Sequence, residues 1–528
     1  MRTAVIRKAR RGAAISKVYS WNAPVKGWVS NSNIADMPKN SAYRLDNWFP
    51  ESNSIKVRDG HTEHADLEES GLIRTLMAHS AGGTDTIFAA IGTYVFDVTA
   101  GGVITTASAD ITGLTSADFI WTNFQVSGGN YLYIVNGVDS ARHYNGTAWA
   151  TPSITGATSS TFSYVFPFKG RLFFIKKNTA TVHYLPVDAV AGAVSTLEVG
   201  GELTLGGTLI AGAAITHDAG NGPEDYCGFI SSEGEVVVYS GTDPSSSTTW
   251  SKKGTFRIGR PIGARCLLKI GGDITVLTQD GVVSLVRSIL LDRAAAERGA
   301  FSSNISNEFN KQYALTGLIF GWQIATWPAG HMAIVNVPIT DGVTYYQYVM
   351  NVLTGAWCRF KAIDSTCWLL AGDDLYFGTT DGRVMQYGTA SADDSSIIDA
   401  VAIGAFSHLD SQGYIKHVKA AQMFTRTDGD FLLGVNIAAD FNLVETAPAS
   451  RNFSQQAGSL WDTALWDTAT WSQSDAAQSV WLGVSKSGHF IAPVIVAQSG
   501  TGAQVDPAVA AIEFLSMNML CEVGNPLG

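Results

Sequence analysis

Charge is scarce in this chain. Asp, Glu, Lys and Arg make up 15% of its 528 residues, against about a quarter in a typical soluble domain. Ser, Thr, Asn and Gly must therefore cover much of the outside, as suits an extracellular or particle-bound structural protein, or one whose faces meet neighbours. Cysteine is also sparse. Cys227, Cys266, Cys358, Cys367 and Cys521 lie far apart except for one nine-residue gap, which excludes a disulfide framework and zinc-ligand spacing. Cys266, Cys358 and Cys367 sit in apolar runs and read as free, buried thiols, consistent with assembly in a reducing cytoplasm. No run of 18 apolar residues occurs, and the basic N-terminus is not followed by an apolar core. Neither a membrane-spanning helix nor export by a cleaved signal is expected.

Motifs that carry chemistry are missing as well. There is no His-Glu-x-x-His, phosphate-binding loop, nucleophile elbow or Gly-x-Gly-x-x-Gly ahead of a helix. The ten histidines are scattered, and His61 and His64, the one close pair, read as surface residues of a polar turn. Asp280 and Asp381 occupy turn positions where Asp favours the bend itself. The expectation is a protein that is not an enzyme, with no catalytic residues, no cofactor and no metal.

What the chain has in abundance is glycine, 54 residues, set between short apolar strands. Tyr131–Val135, Gly234–Tyr239, Ile274–Leu285 and Asp374–Tyr387 show the unit best. In the last two an apolar run ends in Asp-Gly and restarts at once, the short-range hairpin signal. The turn glycines Gly146, Gly234, Gly281 and Gly382 are separated by 88, 47 and 101 residues, near two, one and two periods of about 45 to 50, the size of a four-stranded propeller blade. This spacing predicts an all-β fold: a divergent β-propeller of six to eight blades over residues 65–390. An additional β-rich domain is expected over 391–528, joined in part by the N-terminal segment 1–64. Ser284–Gly299 reads as a helical interruption, and the nearly uncharged Gly192–Ile215 as an inserted hairpin at Leu203–Ile210.

The net charge of −11 is unevenly placed. Residues 1–35 hold Arg2, Arg7, Lys8, Arg10, Arg11, Lys17 and Lys26 with no acid, a basic arm that an acidic surface or DNA would order. At the other end, Trp461, Trp466 and Trp471 recur every five residues in a Trp-Asp-Thr-Ala element, a beat that fits neither helix nor strand. These indoles pack together or meet a partner. With Trp48, they and Arg2, Arg7, Lys8, Arg10 and Arg11 form the candidate docking set, although packing alone explains Trp48 and Phe49.

Asn47-Trp48-Phe49-Pro50 running into Ile55-Lys56-Val57-Arg58-Asp59-Gly60 resembles the N-terminal region of tail proteins from short-tailed bacteriophages. The layout of the chain is similar to the tail nozzle or tail-hub proteins of such phages, including the packaged-DNA stabilisation group. The resemblance implies a non-enzymatic structural protein of the virion tail, assembled in the host cytoplasm. It implies a homo-oligomeric ring, a hexamer, beneath the portal and its adaptor, with other tail proteins as neighbours. Genomic DNA would pass through that channel without sequence-specific binding, and an acidic or neutral wall would release it. The rival reading is a receptor- or glycan-binding tail protein, depolymerases included, that contacts the host surface through exposed aromatics.

Overall fold

A computed structural model describes residues 15–218, 223–270, 273–290, 299–427, 431–443, 449–453, 478–499 and 512–526. The chain divides into two compact units. One comprises Met1–Val57, Asp399–Gln504 and Ala510–Gly528, the other Arg58–Ile398 with Val505–Val509.

The Arg58–Ile398 unit is a succession of antiparallel meanders. The first is Ile73–Ala81, Thr84–Ile91 and Tyr94–Asp97; the second runs Ile120–Val126, Gly129–Val135, Arg142–Tyr144 and Trp149–Ala150. Phe162–Phe168, Arg171–Lys176, Thr181–Tyr184 and Ser195–Glu198 follow, then Leu209–Asp218, Pro223–Ser231, Glu235–Gly241 and Trp250–Arg257. Leu267–Ile270, Asp273–Thr278 and Gly281–Ser284 form a three-stranded sheet, and Gln323–Trp327, Met332–Thr340, Thr344–Asn351 and Trp357–Phe360 are neighbours in that order. In the last meander, Ser365–Ala371, Asp374–Thr379 and Arg383–Ala390 are joined by Gly60–Leu67, antiparallel to Arg383–Ala390.

Strand alternation explains the core. Leu132 and Ile134 point into one cluster with Phe88, Val95 and Phe119, whereas Tyr133 and Val135 point into the next with Phe162, Leu172 and Phe174. A strand with apolar residues at every position has no solvent face, so each such sheet is packed on both sides. Each fully buried Phe or Leu contributes about 1.5–3 kcal/mol relative to exposure. The hairpin turns are set by glycine. Gly281 sits at φ +115°, and a Cβ there would fall 2.1 Å from Ser302 Oγ. Gly382, at φ +93°, would place one 2.5 Å from the Glu69 carbonyl. Both positions exclude a side chain.

The fold-class expectation is corrected in one respect. The fold is all-β, but among the described residues the sheets are open, and none is closed into a barrel or curled into the expected propeller of six to eight blades. Turn spacing fixes how long a meander is; it does not encode how successive sheets are disposed. The Gly192–Ile215 stretch is no inserted hairpin either. Ser195–Glu198 closes one meander beside Thr181–Tyr184, Gly200–Glu202 is a 3-10 turn, and Leu209–Asp218 opens the next meander. Helix occurs at Leu285–Leu290, inside the predicted interruption, and at Ser306–Thr316, where none was read.

The other unit is built from longer strands. One sheet runs Trp48–Pro50, Ile55–Val57, Ile512–Pro526, Tyr414–Thr427 and Gln478–Gly488, with Ile15–Asn22 also paired to Ile512–Pro526. A second series runs Ala42–Asp46, Ile398–Gly404, Ile491–Ser499, Phe431–Ala439 and Ala449–Phe453. Ile403, Phe406, Ala438, Ala492 and Val494 form a core cluster here. In Tyr414–Thr427 buried and half-buried positions alternate: Ala421, Met423, Thr425 and Thr427 are buried, while Gln422, Phe424 and Arg426 face the other way.

Candidate functional site

In the Arg58–Ile398 unit, segments far apart in sequence converge on a cavity of about 170 Å³. Thr75 comes from the first meander, Phe119, Ile120 and Trp121 from the second, and Tyr164 from the third. Arg265, Gln323, Cys367 and Trp368 complete the wall from later elements.

Arg265 organises this cavity. Its Nη2 donates to Asp118 Oδ1 and to Thr75 Oγ1, each at 2.7 Å, and to the Phe119 carbonyl at 3.3 Å. Thr75 Oγ1 donates to the Ala117 carbonyl and accepts from the Phe119 amide, so it locks the segment that presents Asp118. These contacts use one nitrogen of a group with five N–H donors, which leaves the guanidinium capacity for a ligand. Phe320 meets two cations, with Arg74 at 4.3 Å and Arg265 at 5.3 Å from its ring centre.

Another part of the wall is held by a buried polar network. The Trp368 amide donates to Gln323 Oε1 at 3.0 Å, and Gln323 Nε2 donates to the Trp368 carbonyl at 2.8 Å. Trp368 Nε1 donates to Asn336 Oδ1 at 3.1 Å. That oxygen also accepts from Gln347 Nε2 and Ser365 Oγ, while Asn336 Nδ2 donates to the Gly321 and Ser365 carbonyls. Such a network rigidifies the wall because every displaced member would leave a buried polar group unpaired. Burial pushes the Cys367 thiol up, against the opposing pull of Arg265, and burial pushes the Tyr164 hydroxyl up. Both keep their protons at neutral pH. The cavity is therefore lined by the half-buried Trp121 and the more deeply buried Phe119, Tyr164 and Trp368, with one fixed cation and neutral hydroxyl and amide groups.

Of the docking set expected from the sequence, the described residues include Trp48 alone, and it does not line this cavity. Trp48 is fully buried in its strand, which gives the indole a packing role. Arg2, Arg7, Lys8, Arg10, Arg11, Trp461, Trp466 and Trp471 lie outside the described residues. The surface reading of His61 and His64 is corrected. His61 is 7% exposed, with Nδ1 3.1 Å from Asp393 Oδ1. Asp393 also takes two hydrogen bonds from the fully buried Arg58, at 2.8 and 2.5 Å. His64 Nε2 lies 2.8 Å from the Val98 carbonyl, and its ring packs edge-on to Tyr376. Among the described residues, no three His, Cys, Asp or Glu side chains converge to hold a metal ion, and all five cysteines are buried and unbridged. Sequence reasoning missed Arg265, Asp118 and Thr75 entirely, because their convergence spans up to 190 residues.

No family model matches the chain, and no curated protein does. Among solved structures, it is similar to a glycoside hydrolase family 43 arabinoxylan arabinofuranohydrolase from Bacillus subtilis: 10% identity, 87% of this chain and 96% of that one, TM-score 0.25. An exo-β-1,3-galactanase from Phanerochaete chrysosporium shares 9% identity over 76% of this chain and 95% of its own, TM-score 0.23. A candidate 6-phosphogluconolactonase from Bacteroides fragilis shares 11% over 62% and 89%, with TM-score 0.34. YCF48 structures match at the same level, one of them over 64% of this chain and 96% of its own with TM-score 0.32; none of these likenesses is to a nozzle or tail-hub protein, which corrects the expectation of such a ring and the tail-hub terminology that went with it. At this TM-score they carry no activity over to this chain.

Proposed function

We propose that the protein binds carbohydrate, with the Arg265 cavity as its saccharide site. The observation that supports this reading is the convergence of Phe119, Trp121, Tyr164 and Trp368 around Arg265, Thr75 and Gln323. A sugar ring presents C–H surface on its faces and hydroxyls at its edge. Aromatic walls accept the former, and a few fixed polar groups orient the latter. A planar guanidinium spans two adjacent oxygens where an ammonium would meet one.

A glycan array, followed by calorimetric titration of each hit, tests the reading. The expected result is selective binding that Arg265→Ala weakens by at least tenfold. Failure to bind any glycan, or binding that Arg265→Ala leaves unchanged, overturns it. Incubation of each hit with the protein and counting of new reducing ends decides whether binding is joined to cleavage.

The setting we propose is the tail of a short-tailed phage, with a homo-oligomer of this chain among other tail proteins and the host surface as the source of glycan. It is supported by the resemblance of Asn47–Gly60. Copy number and neighbours on purified particles test it; a chain absent from the particle ends it.

A further inference from the structure

The Met1–Val57 and Asp399–Gln504 unit carries an aromatic that its fold leaves uncovered. Trp481 is 51% exposed in the middle of Gln478–Gly488. Register places it directly opposite Gln422, Gln422 opposite Asn518, and Asn518 opposite Ser20. Four strands thus align one indole, two amides and one hydroxyl in a row, at about 4.8 Å per strand. Asn518 Nδ2 donates to Gln422 Oε1 at 3.4 Å, which fixes the two amides against each other. In the adjacent row Gly483 lies opposite Ala420, and these small side chains leave the indole face open. Beneath the row, Ala421, Met423, Met517 and Met519 are buried, so the row rests on a packed layer and not on a mobile loop.

Ion pairs flank the row on both sides. Lys419 pairs with Glu522 toward one end, and Arg426 Nη1 lies 3.3 Å from Glu513 Oε2 toward the other. The stripe between them is uncharged. The exposed Lys17 and Lys486 of these strands are in register with the buried Cys521 and Val418 and so alternate away from the row, and the row itself presents no cation to a phosphate or a carboxylate. An uncharged chain with apolar faces and hydroxyl edges fits: the indole takes a ring face, and the amides each both donate and accept.

We infer that this sheet face is a second saccharide-contact surface, which takes a segment of neutral polysaccharide laid across the strands. It does not rest on the Arg265 cavity, which belongs to the other unit. The test is affinity electrophoresis of the full chain in gels containing amylopectin, xylan, β-glucan or galactan, with heparin and alginate as polyanions. The expected result is retardation by at least one neutral polymer and by neither polyanion. Trp481→Ala should weaken it at least tenfold, Trp481→Tyr should retain most of it, and Arg265→Ala should leave the tryptophan-dependent part in place. No retardation by any neutral polymer overturns the inference, as does retardation unchanged in Trp481→Ala. Retardation by heparin alone assigns the face to polyanions and also overturns it. Size-exclusion chromatography of the wild type and Trp481→Ala covers one more occupant: a dimer that the substitution dissociates would make the face a contact between copies of this chain.

Discussion

Two central strands, one from each unit, are buried differently. In Gly129–Val135 the run Leu132, Tyr133, Ile134 and Val135 is buried at every position, whereas Tyr414–Thr427 alternates buried with half-buried residues. The first pattern leaves no sheet face for a ligand. Around such strands recognition falls to strand ends and the segments between meanders, where the Arg265 cavity lies, while outer strands such as Trp250–Arg257 keep exposed positions. The second pattern leaves a whole face free, and polar and aromatic residues can stand on it at little cost to the core. Where a ligand can meet these two sheets thus follows from the period of their hydrophobic patterns.

The sharpest way to break this contrast is through the buried ion pair of the Arg58–Ile398 unit. Arg58 is fully buried and bonded twice to Asp393. Asp393→Ala would strand the guanidinium without its carboxylate, at a cost of about 3–5 kcal/mol, and scanning calorimetry should show a large fall in Tm. The same pair predicts an acid limit. Burial, the largest influence, raises the Asp393 carboxyl, but Arg58's charge and hydrogen bonds, with help from His61, bring it below the ordinary value. A depressed folded-state pKa stabilises above the unfolded value of about 3.9 and is lost as pH falls through the folded value. Stability should therefore drop below about pH 4 in the wild type. The slope there should be shallower in Asp393→Asn, measured by urea denaturation across pH 2 to 6.

Core truncation comes close behind. Phe174 is fully buried and stacks on Phe162 with ring centres 4.6 Å apart. Phe174→Ala removes that stack and leaves a cavity between two sheets, for about 3–5 kcal/mol. A loss under about 1 kcal/mol would show that the meanders are not packed on both faces. Backbone strain is smaller. Gly281→Ala meets both a positive φ and the Ser302 hydroxyl, which accepts a hydrogen bond from the Val282 amide; about 1–3 kcal/mol is expected. The double variant with Ser302→Ala should recover only the steric part.

How much of this was legible in sequence depended on how far each feature reaches along the chain. The hairpins at Asp280-Gly281 and Asp381-Gly382, and the strand Tyr131–Val135, are local matters of turn chemistry and alternation, and composition exposed them. His61 looked like a surface residue because its polar neighbours are local, while its burial comes from Asp393, on a segment over 300 residues away. The set Thr75, Asp118 and Arg265 carries no motif, since each residue is ordinary where it stands. Ser306–Thr316 escaped notice because it buries only Phe309 and Thr316, too little apolar surface to show a helical period. The disposition of the sheets was misjudged for the same reason: spacing between turns is local, and the relation between meanders is not. Gln422, Asn518 and Trp481 align only once strand register is known.

The smallest effect is the most discriminating. If Trp481 stands on a free face, Trp481→Ser should change stability by no more than about 0.5 kcal/mol, the range of surface substitutions that touch no cap, cavity or buried polar group. A buried indole replaced by serine would cost several times that through lost packing and an unfilled cavity. The comparison is internal, because Trp48 is fully buried in the same unit. Trp48→Ser should therefore lose about 3–5 kcal/mol under the same urea titration. An equal loss from the two substitutions would mean that something covers Trp481 as thoroughly as the core covers Trp48, and the open sheet face would not exist. A difference of about 3 kcal/mol or more leaves Trp481 with no packing role, and its indole opposite Gln422 is then free to meet a ligand.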